Sequence, residues 1–278
     1  MLHPNDMKHR PDRPRLPRSR RAVAFTLVEL LTVIAIVGIL SAIVISALGR
    51  VRQSARQAEA AVRLRQLGTA LLLASEDNRG RFPPVNTQAL KSADGATTIR
   101  TNAGFGFFLY PYLGYKGVSS FNRSRLMIDP LVVNNDNIGS ASSNSIGSAW
   151  SGNARLMGIA TEATQNLSHV VYSSSSRGTR RGSVLRPSQV ILIGSAVIDA
   201  DSAWGANASF STPSEINGKD LSTLITPEVG NTTQEGGRLG GVAYRASGGN
   251  AAMFVMADGS VAVIRKGQLT TGHFAAEL

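Results

Sequence analysis

The stretch that decides the fold is FTLVELLTVIAIVGILSAIVISALG, which runs from Phe25 to Gly49. From Leu30 to Gly49 it holds twenty consecutive residues without a charge. An α-helix of that length rises about 30 Å, which matches the thickness of the hydrocarbon core of a bilayer. The stretch therefore predicts one membrane-spanning helix over residues 25–49.

A basic segment precedes the apolar stretch. Residues 1–24 hold seven basic and two acidic side chains, and so contribute +5 to the chain's formal charge of +11. Because cytoplasmic segments beside a membrane helix are rich in Lys and Arg, we expect residues 1–24 in the cytoplasm and the rest of the chain on the other side. Arg50, Arg52 and Arg56 follow the apolar stretch and reduce this charge contrast.

Composition excludes several classes of protein. Hydrophobic residues make up 42% of the 278 residues and charged residues 17%, which fits neither a disordered polyelectrolyte nor a protein with many membrane helices. The absence of cysteine excludes disulfide scaffolds, thiolate metal sites and thiol nucleophiles. Since the four histidines are scattered and no Gly-x-Ser-x-Gly elbow occurs, we expect no enzyme.

Glu29 is the one residue of the apolar stretch that is out of place in lipid. An ionised carboxylate at membrane depth is costly unless it finds a partner, which makes Glu29 a candidate functional residue. A second interpretation places Glu29 at headgroup depth, solvated and close to the positive end of the helix dipole. The residues alone favour neither interpretation.

The residues around Glu29 resemble a known family. Arg20-Arg21-Ala22-Val23-Ala24, followed by Phe25-Thr26-Leu27-Val28-Glu29-Leu30-Leu31, resembles the processing site of type IV prepilins and type II secretion pseudopilins. The resemblance implies that a membrane-embedded prepilin peptidase cuts between Ala24 and Phe25, removes the leader 1–24 and methylates the new amino group of Phe25. It also implies that Glu29 pairs with the N-terminal amine of a neighbouring subunit during assembly.

Such a pair would set the stagger between subunits. Opposite charges attract strongly in a low dielectric, and either charge alone carries a desolvation penalty, so the contact favours one register. Three positions bear on the comparison with the family. Ala24 stands where the family usually has Gly, Ser46 stands where pilins often carry a helix-kinking Pro, and Gly38 matches a glycine of related helices.

Residues 50–80 predict an amphipathic helix outside the membrane. Gly80 and the pair Pro83-Pro84 cannot continue a helix, so we expect its end near Asn78. Apolar residues recur at spacings of three to five and predict the face that packs on a domain. They are Val51, Ala55, Ala58, Val62, Leu67, Leu71 and Ala74.

Further segments are similar to a pseudopilin-like group of proteins. Gln66-Leu67-Gly68 resembles its Gln-(Ile/Leu)-Gly segment, and Glu76 to Pro83 resembles its acidic-Asp-Asn-x-Gly-x-(Phe/Tyr)-Pro helix exit. Arg186-Pro187-Ser188 resembles the approach to a central strand in the same group. Asp258-Gly259 resembles the end of a C-terminal module whose expected His falls at Gly248, so the role of that His does not carry over.

Residues 81–278 predict a variable, β-rich domain. Ser168 to Ser173 and Gln189 to Ile198 are rich in β-branched residues, and the second is long enough for a buried central strand. Ala252 to Met256 and Ser260 to Ile264 flank Asp258-Gly259 and predict a hairpin that ends the domain. Asn134 to Asn153, rich in Ser, Asn and Gly, predicts a loop. The fold class expected is α+β, pilin-like, with a long N-terminal helix packed on a C-terminal antiparallel sheet.

Ligand sites are weakly indicated. Asp129, Asp136, Asp199 and Asp201 could offer oxygen ligands to calcium, but they lack the further acids of a dedicated loop, so solvated carboxylates and no cofactor are expected. The arginines of residues 50–65 have no interleaved aromatic residue, so a solvated or lipid-facing basic surface is preferred to nucleic-acid binding. The aromatic residues between 105 and 115 predict core packing beneath a loop, with a partner-facing patch as the alternative.

Together these patterns predict a pilin-like or pseudopilin structural subunit of a type II secretion pseudopilus or a type IV pilus-like filament. We expect a single-pass protein of the bacterial inner membrane with a periplasmic or extracellular C-terminal domain. Its expected partners are prepilin peptidase, other pilin or pseudopilin subunits, the inner-membrane assembly platform and inner-membrane lipid. One alternative is a membrane-anchored periplasmic binding or adhesive protein, with DNA as one ligand, that never polymerises. Another is an exported enzyme behind a conventional signal peptide.

Overall fold

The computed structural model describes residues 26–92, 95, 98–115, 125–132, 150–165, 170–172, 178–196, 209–210 and 242–274. The chain divides between Gly49 and Arg50 into two compact units. A helix of 51 residues, α1 (Leu27–Asp77), begins in the first unit and ends in the second. Its first part is exposed at every position from Leu27 to Gly49, and Ser46 leaves it unbroken.

The second unit contains α1 from Arg50 onward and two sheets, so the described structure is α+β as predicted. Its strands are β1 (Asn86–Lys91), β2 (Thr98–Gly104), β3 (Trp150–Asn153), β4 (Ile159–Gln165), β5 (Val170–Tyr172), β6 (Ile191–Ser195), β7 (Ser209–Phe210), β8 (Ala251–Met256) and β9 (Val261–Arg265). Short helices are α2 (Gly106–Leu109), α3 (Ala154–Met157) and 3₁₀ turns at Tyr110–Leu113, Arg125–Met127, Arg181–Ser183, Ser247–Gly249 and Thr271–His273.

The larger sheet has the order β7-β3-β6-β8-β9. Its strands β3, β6, β8 and β9 are antiparallel, which confirms the predicted antiparallel sheet, while the edge strand β7 pairs parallel to β3. A smaller sheet, with the order β2-β1-β4-β5, was not predicted. Its β1 and β4 are parallel and lie far apart in the sequence, and such a pair leaves no local turn signal.

The face of α1 that packs on the domain differs from the predicted stripe. Val51 and Val62 are 61% and 52% exposed, and Ala55 and Ala58 are exposed as well, so the first half of the stripe is wrong. Leu67, Leu71 and Ala74 are buried as predicted, but the stripe begins at Ala60. The buried residues are Ala60, Leu64, Leu67, Gly68, Ala70, Leu71, Ala74 and Ser75.

Strands β6 and β8 are buried along their whole length because both faces of the sheet are covered. One face packs into the core that contains Leu64, Leu67 and Leu71 of α1. The other face packs with Leu269 and Phe274, which follow β9. The predicted central strand and hairpin are therefore confirmed, but the hairpin is not the end of the domain.

Residues 150–153 correct the predicted loop over 134–153. They form β3, although residues 133–149 lie outside the described residues. Trp150 is buried, and its Nε1 donates to Leu126 O at 3.1 Å. Asn153 Nδ2 donates to Ile191 O and Phe274 O at 2.9 and 3.2 Å. The polar composition of this segment predicted a loop, but these hydrogen bonds satisfy the buried polar groups and allow a strand.

Candidate functional site

The start of α1 is held by a reciprocal cap between Thr26 and Glu29. The Thr26 backbone N–H donates to Glu29 Oε2 at 3.0 Å, and the Thr26 hydroxyl donates to the same oxygen at 2.9 Å. In return the Glu29 N–H donates to Thr26 Oγ1 at 3.2 Å. This is the capping-box arrangement, in which two unpaired N–H groups of a first helical turn are satisfied together.

The Glu29 carboxylate is exposed, and its two oxygens have different surroundings. Both hydrogen bonds from Thr26 reach Oε2. Among the described residues, no group donates to Oε1 and no basic side chain pairs with the carboxylate. Ala24 and Phe25, the predicted cleavage and methylation positions, lie outside the described residues. The cap therefore leaves Oε1 accessible to a donor from another molecule.

The segment after Glu29 meets the physical requirements of a membrane span. α1 is the one helix of the described residues long and apolar enough to cross a membrane, by length and composition. Two of its hydroxyl groups donate to the helix backbone: Thr32 Oγ1 donates to Glu29 O at 3.0 Å, and Ser46 Oγ donates to Ile43 O at 2.8 Å. Such bonds lower the cost of placing a hydroxyl in lipid.

Gly68, Pro187 and Asp258-Gly259, which belong to three of the segments singled out in the sequence, meet where α1 packs on the β8–β9 hairpin. A Cβ added to Gly68 would lie 2.7 Å from Val255 Cγ1 and 3.4 Å from Gly259 O, so only glycine admits this approach of helix and hairpin. Gly259 has φ +88°, which favours glycine in the turn. Asp258 N donates to Pro187 O at 3.2 Å. We name Gly68, Pro187, Asp258 and Gly259 the motif junction.

The motif junction is a packing device. Asp258 Oδ1 accepts from the N–H and the hydroxyl of Ser260 at 2.8 and 2.7 Å, which fixes the turn. No pair of the junction residues forms an acid, base or nucleophile arrangement, and the structural interpretation of Asp258-Gly259 accounts for every contact. Gly248, the position at which the resemblance would place a His, adopts φ +71°, a backbone conformation that side-chain-bearing residues rarely adopt.

The helix exit is fixed by a second set of contacts. Arg79 and Gly80 have φ of 57° and 73°, which ends α1 one residue before the predicted Asn78. Phe82 is fully buried, and its N–H donates to Thr179 O at 3.2 Å. Arg181 N donates to Gly80 O at 2.8 Å. These contacts give the acidic-Asp-Asn-x-Gly-x-Phe-Pro segment a structural explanation.

Asp129 is not a solvated loop carboxylate. It is buried, and its Oδ2 accepts from Arg245 Nη1 at 3.2 Å, while Oδ1 accepts from Leu131 N at 2.9 Å. Burial raises the pKa of Asp129, against the opposing effects of Leu131 and Arg245. Burial also lowers the pKa of Arg245, so for both partners desolvation outweighs their attraction.

These contacts bear on the calcium hypothesis. Both carboxylate oxygens of Asp129 are used within the chain, so the predicted solvated carboxylate is wrong at this position. Asp136, Asp199 and Asp201 lie outside the described residues. In the part of the chain that the structure describes, no three acidic or histidine side chains are grouped as a metal site.

The aromatic segment is core, as predicted. Phe105, Phe107, Phe108 and Tyr110 are buried. Tyr112 is half-buried, and its hydroxyl donates to Asp77 Oδ2 at 2.8 Å. Burial and the neighbouring carboxylate raise the pKa of Tyr112. Beside it an open groove of about 390 Å³ is lined by Gln66, Thr69, Ala70, Leu73, Tyr112, Leu113, Tyr115 and Leu126.

Comparisons with protein-family models, curated proteins and solved structures found no match to this chain. The functional argument therefore depends on the residues themselves.

Two features of the site were missed from the sequence. The Thr-x-x-Glu signal of Thr26 and Glu29 is visible in the sequence and predicts a cap by itself. Arg245 carries no such signal, because its partners Asp129 and Ala196 O are brought to it only by the fold.

Proposed function

We propose that this protein is a pilin-like structural subunit, processed between Ala24 and Phe25 and assembled through residues 25–49 into a type II secretion pseudopilus or a type IV pilus-like filament. The observation that carries the proposal is the first part of α1, where an uninterrupted apolar surface is exposed all round and begins at one carboxylate. A helix that is apolar on every side needs either lipid or other apolar helices around it. A filament subunit uses both environments in turn.

The geometry of Glu29 supports a role in register. One oxygen of the carboxylate completes the cap, and the other is accessible to a donor. After cleavage, the new amine of Phe25 would directly precede Thr26 and lie beside the capped turn of its own chain. Glu29 of one subunit and the amine of the next would then compensate each other's desolvation as the helices leave lipid.

The first test is the mass of the mature N-terminus. We expect that co-production with a prepilin peptidase gives a chain that begins with N-methylphenylalanine at residue 25. An intact leader would favour a simple membrane anchor, and an end near Leu48 would favour an exported protein with a conventional signal. Either result would contradict the proposal.

A second test separates the two roles of Glu29. Glu29→Gln keeps an oxygen that can complete the cap but removes the charge, and Glu29→Ala removes both. Thr26→Val removes the capping hydroxyl and keeps the charge. If the charge sets the register, both Glu29 variants insert into membranes, but their incorporation into filaments falls by about tenfold or more, which corresponds to about 1.4 kcal/mol. Thr26→Val, which keeps the charge, assembles as the unaltered chain does. Filament yield by shearing and sedimentation, normalised to membrane-bound subunit, measures this.

The cap also favours a second candidate function, a membrane-anchored protein that never polymerises. Thr26 hydrogen bonds explain the position of Glu29 without any second subunit. On that hypothesis Glu29→Gln behaves as the unaltered protein in every assay, and no filament forms with any variant. Filament incorporation that depends on the Glu29 charge would exclude it.

A further inference from the structure

One end of the second unit carries exposed cations from two elements. Arg50, Arg52 and Arg56 are exposed on the first two turns of α1 in this unit, and Lys266 is exposed directly after β9. We name these four residues the basic patch. Chain connectivity makes this the end at which the apolar segment is attached, because Arg50 follows Gly49.

The loop before β8 brings the two elements to the same end. Ser247 N donates to Gln57 Oε1 at 3.4 Å, one residue beyond Arg56. Asn250 O of the same loop accepts from Lys266 N at 2.8 Å. The loop therefore contacts both the first turns of the helix and the end of β9.

No described carboxylate neutralises the basic patch. Glu59 is the first acidic residue after Arg50 in the chain, and it pairs with Arg63. The other ion pairs of the described residues, Arg181 with Glu76 and Arg245 with Asp129, use no patch residue. The patch thus presents its charge to the surroundings.

We propose that the basic patch binds the anionic phospholipid headgroups of the membrane that α1 enters. Arg50 to Arg56 spans about 9 Å of helix rise, within a Debye length of about 10 Å at moderate salt. Each Lys or Arg this close to an anionic surface strengthens binding about fivefold. The described surroundings offer no exposed aromatic platform for single-stranded nucleic acid, since Tyr244 is partly buried. The inference rests on the membrane insertion in the proposed function and is independent of polymerisation.

The experiment uses the full chain in phosphatidylcholine nanodiscs with and without about 30 mol% phosphatidylglycerol. Since the chain has no cysteine, Gln268→Cys provides a unique site for an environment-sensitive fluorophore, and Gln268 is exposed two residues after Lys266. We expect phosphatidylglycerol to shift the emission to the blue, and a rise from about 0.05 to about 0.5 M NaCl to reverse the shift.

Two matched triple variants test the assignment. Arg52→Gln/Arg56→Gln/Lys266→Gln should weaken the response to phosphatidylglycerol by about tenfold or more, while Arg50 stays in place because it borders the apolar segment. The control removes the same charge from exposed arginines elsewhere and should respond as the unaltered chain. Its substitutions are Arg65→Gln, Arg79→Gln and Arg186→Gln.

Several results would overturn the inference. A chain that inserts into nanodiscs but ignores phosphatidylglycerol, or equal losses in the two triple variants, would exclude a specific lipid-binding patch and leave the filament proposal intact. Binding of a short DNA that needs the patch, with no lipid response, would assign the surface to nucleic acid instead. Failure of the chain to insert at all would remove both this inference and the proposed function.

Discussion

Glu29 takes part in the cap at the start of α1, and the proposed function gives the same side chain a second role in assembly. A carboxylate in an apolar environment needs donors, and Thr26 supplies two of them to Oε2. Because these donors belong to the same turn, they satisfy one carboxylate oxygen without any second molecule. If α1 spans a membrane as proposed, the cap lowers the desolvation cost of Glu29 there and leaves Oε1 for the amine of the proposed neighbouring subunit.

His273 predicts a loss of stability in acid. Its Nδ1 accepts from Thr270 N at 3.0 Å, which requires the neutral ring, and burial lowers the pKa of His273 below its ordinary value of 6.5. Because the pKa of His273 is lower in the folded chain than in the unfolded chain, its contribution to stability is fully present above the unfolded pKa. That contribution is lost as the pH falls through the folded pKa. We expect His273→Gln, which accepts the same bond without titrating, to flatten the dependence of Tm on pH below about 6.5.

The measurement is thermal unfolding of the full chain in neutral detergent across that pH range. Near pH 8, the free energies of unfolding of His273→Gln and the unaltered chain should agree within about 1 kcal/mol. Parallel curves for the two proteins would show that His273 does not contribute to the acid response. The comparison isolates His273 because Asp129, whose raised pKa acts in the opposite direction, is present in both proteins.

At the scale of elements, the contact of α1 with the β8–β9 hairpin depends on Gly68. The missing side chain lets Val255 and the turn at Gly259 approach the helix directly. Glycine normally weakens a helix by about 1 kcal/mol relative to alanine, so its presence in a buried helical turn indicates that close packing outweighs helix propensity here.

We therefore expect Gly68→Ala to destabilise the domain by about 1–3 kcal/mol through overpacking. Gly49→Ala is the matched control, since it lies in the same helix and an added Cβ meets nothing within 4 Å. That control should be neutral or slightly stabilising. Denaturant unfolding, followed by tryptophan fluorescence to which buried Trp150 contributes, measures both. A Gly68→Ala variant as stable as Gly49→Ala would contradict the packing explanation.

The sequence predicted elements whose signal is local. The β8–β9 hairpin follows from Asp258-Gly259 between two apolar runs, and the end of α1 follows from Gly80 and the prolines after it. Only the second half of the buried face of α1 was predicted. The alanines of residues 55–60 fit more than one apolar stripe, and which of them are buried depends on how the domain packs against the helix. The assembly role of Glu29 stays a prediction, and its capping partner Thr26 was not predicted although the Thr-x-x-Glu signal is local.

At the scale of the whole molecule, the buried pair of Arg245 and Asp129 joins segments that no local pattern relates. Arg245 Nη2 also donates to Ala196 O at 2.7 Å, and Arg63 Nη1 of α1 donates to Ile128 O at 2.7 Å, next to Asp129. The helix, the residues around 129, the end of β6 and the segment before β8 therefore meet at one buried charge pair. Such pairings, like the parallel strands β1 and β4, emerge only from the complete fold.

Loss of one member of the Arg245–Asp129 pair should lower the free energy of unfolding. Arg245→Met leaves the Asp129 carboxylate buried without its cationic partner, and we expect the free energy of unfolding to fall by about 3 kcal/mol or more. Asp129→Asn in the same chain should recover part of it, because an amide oxygen still accepts from Leu131 N. In Arg245→Met the loss should grow as pH rises, since an acid with a raised folded pKa stabilises the fold only while it is protonated. Urea unfolding of both variants at several pH values tests this, and equal stability of the two would count against it.

The Thr26–Glu29 cap has a consequence for the precursor. Both of its members come after the bond proposed for cleavage, so the side-chain groups that cap the helix among the described residues all lie within its first turn. If the chain is processed as proposed, exchanging residues 1–24 for an unrelated leader that a prepilin peptidase still cleaves should therefore leave the first turn of the mature helix unaltered.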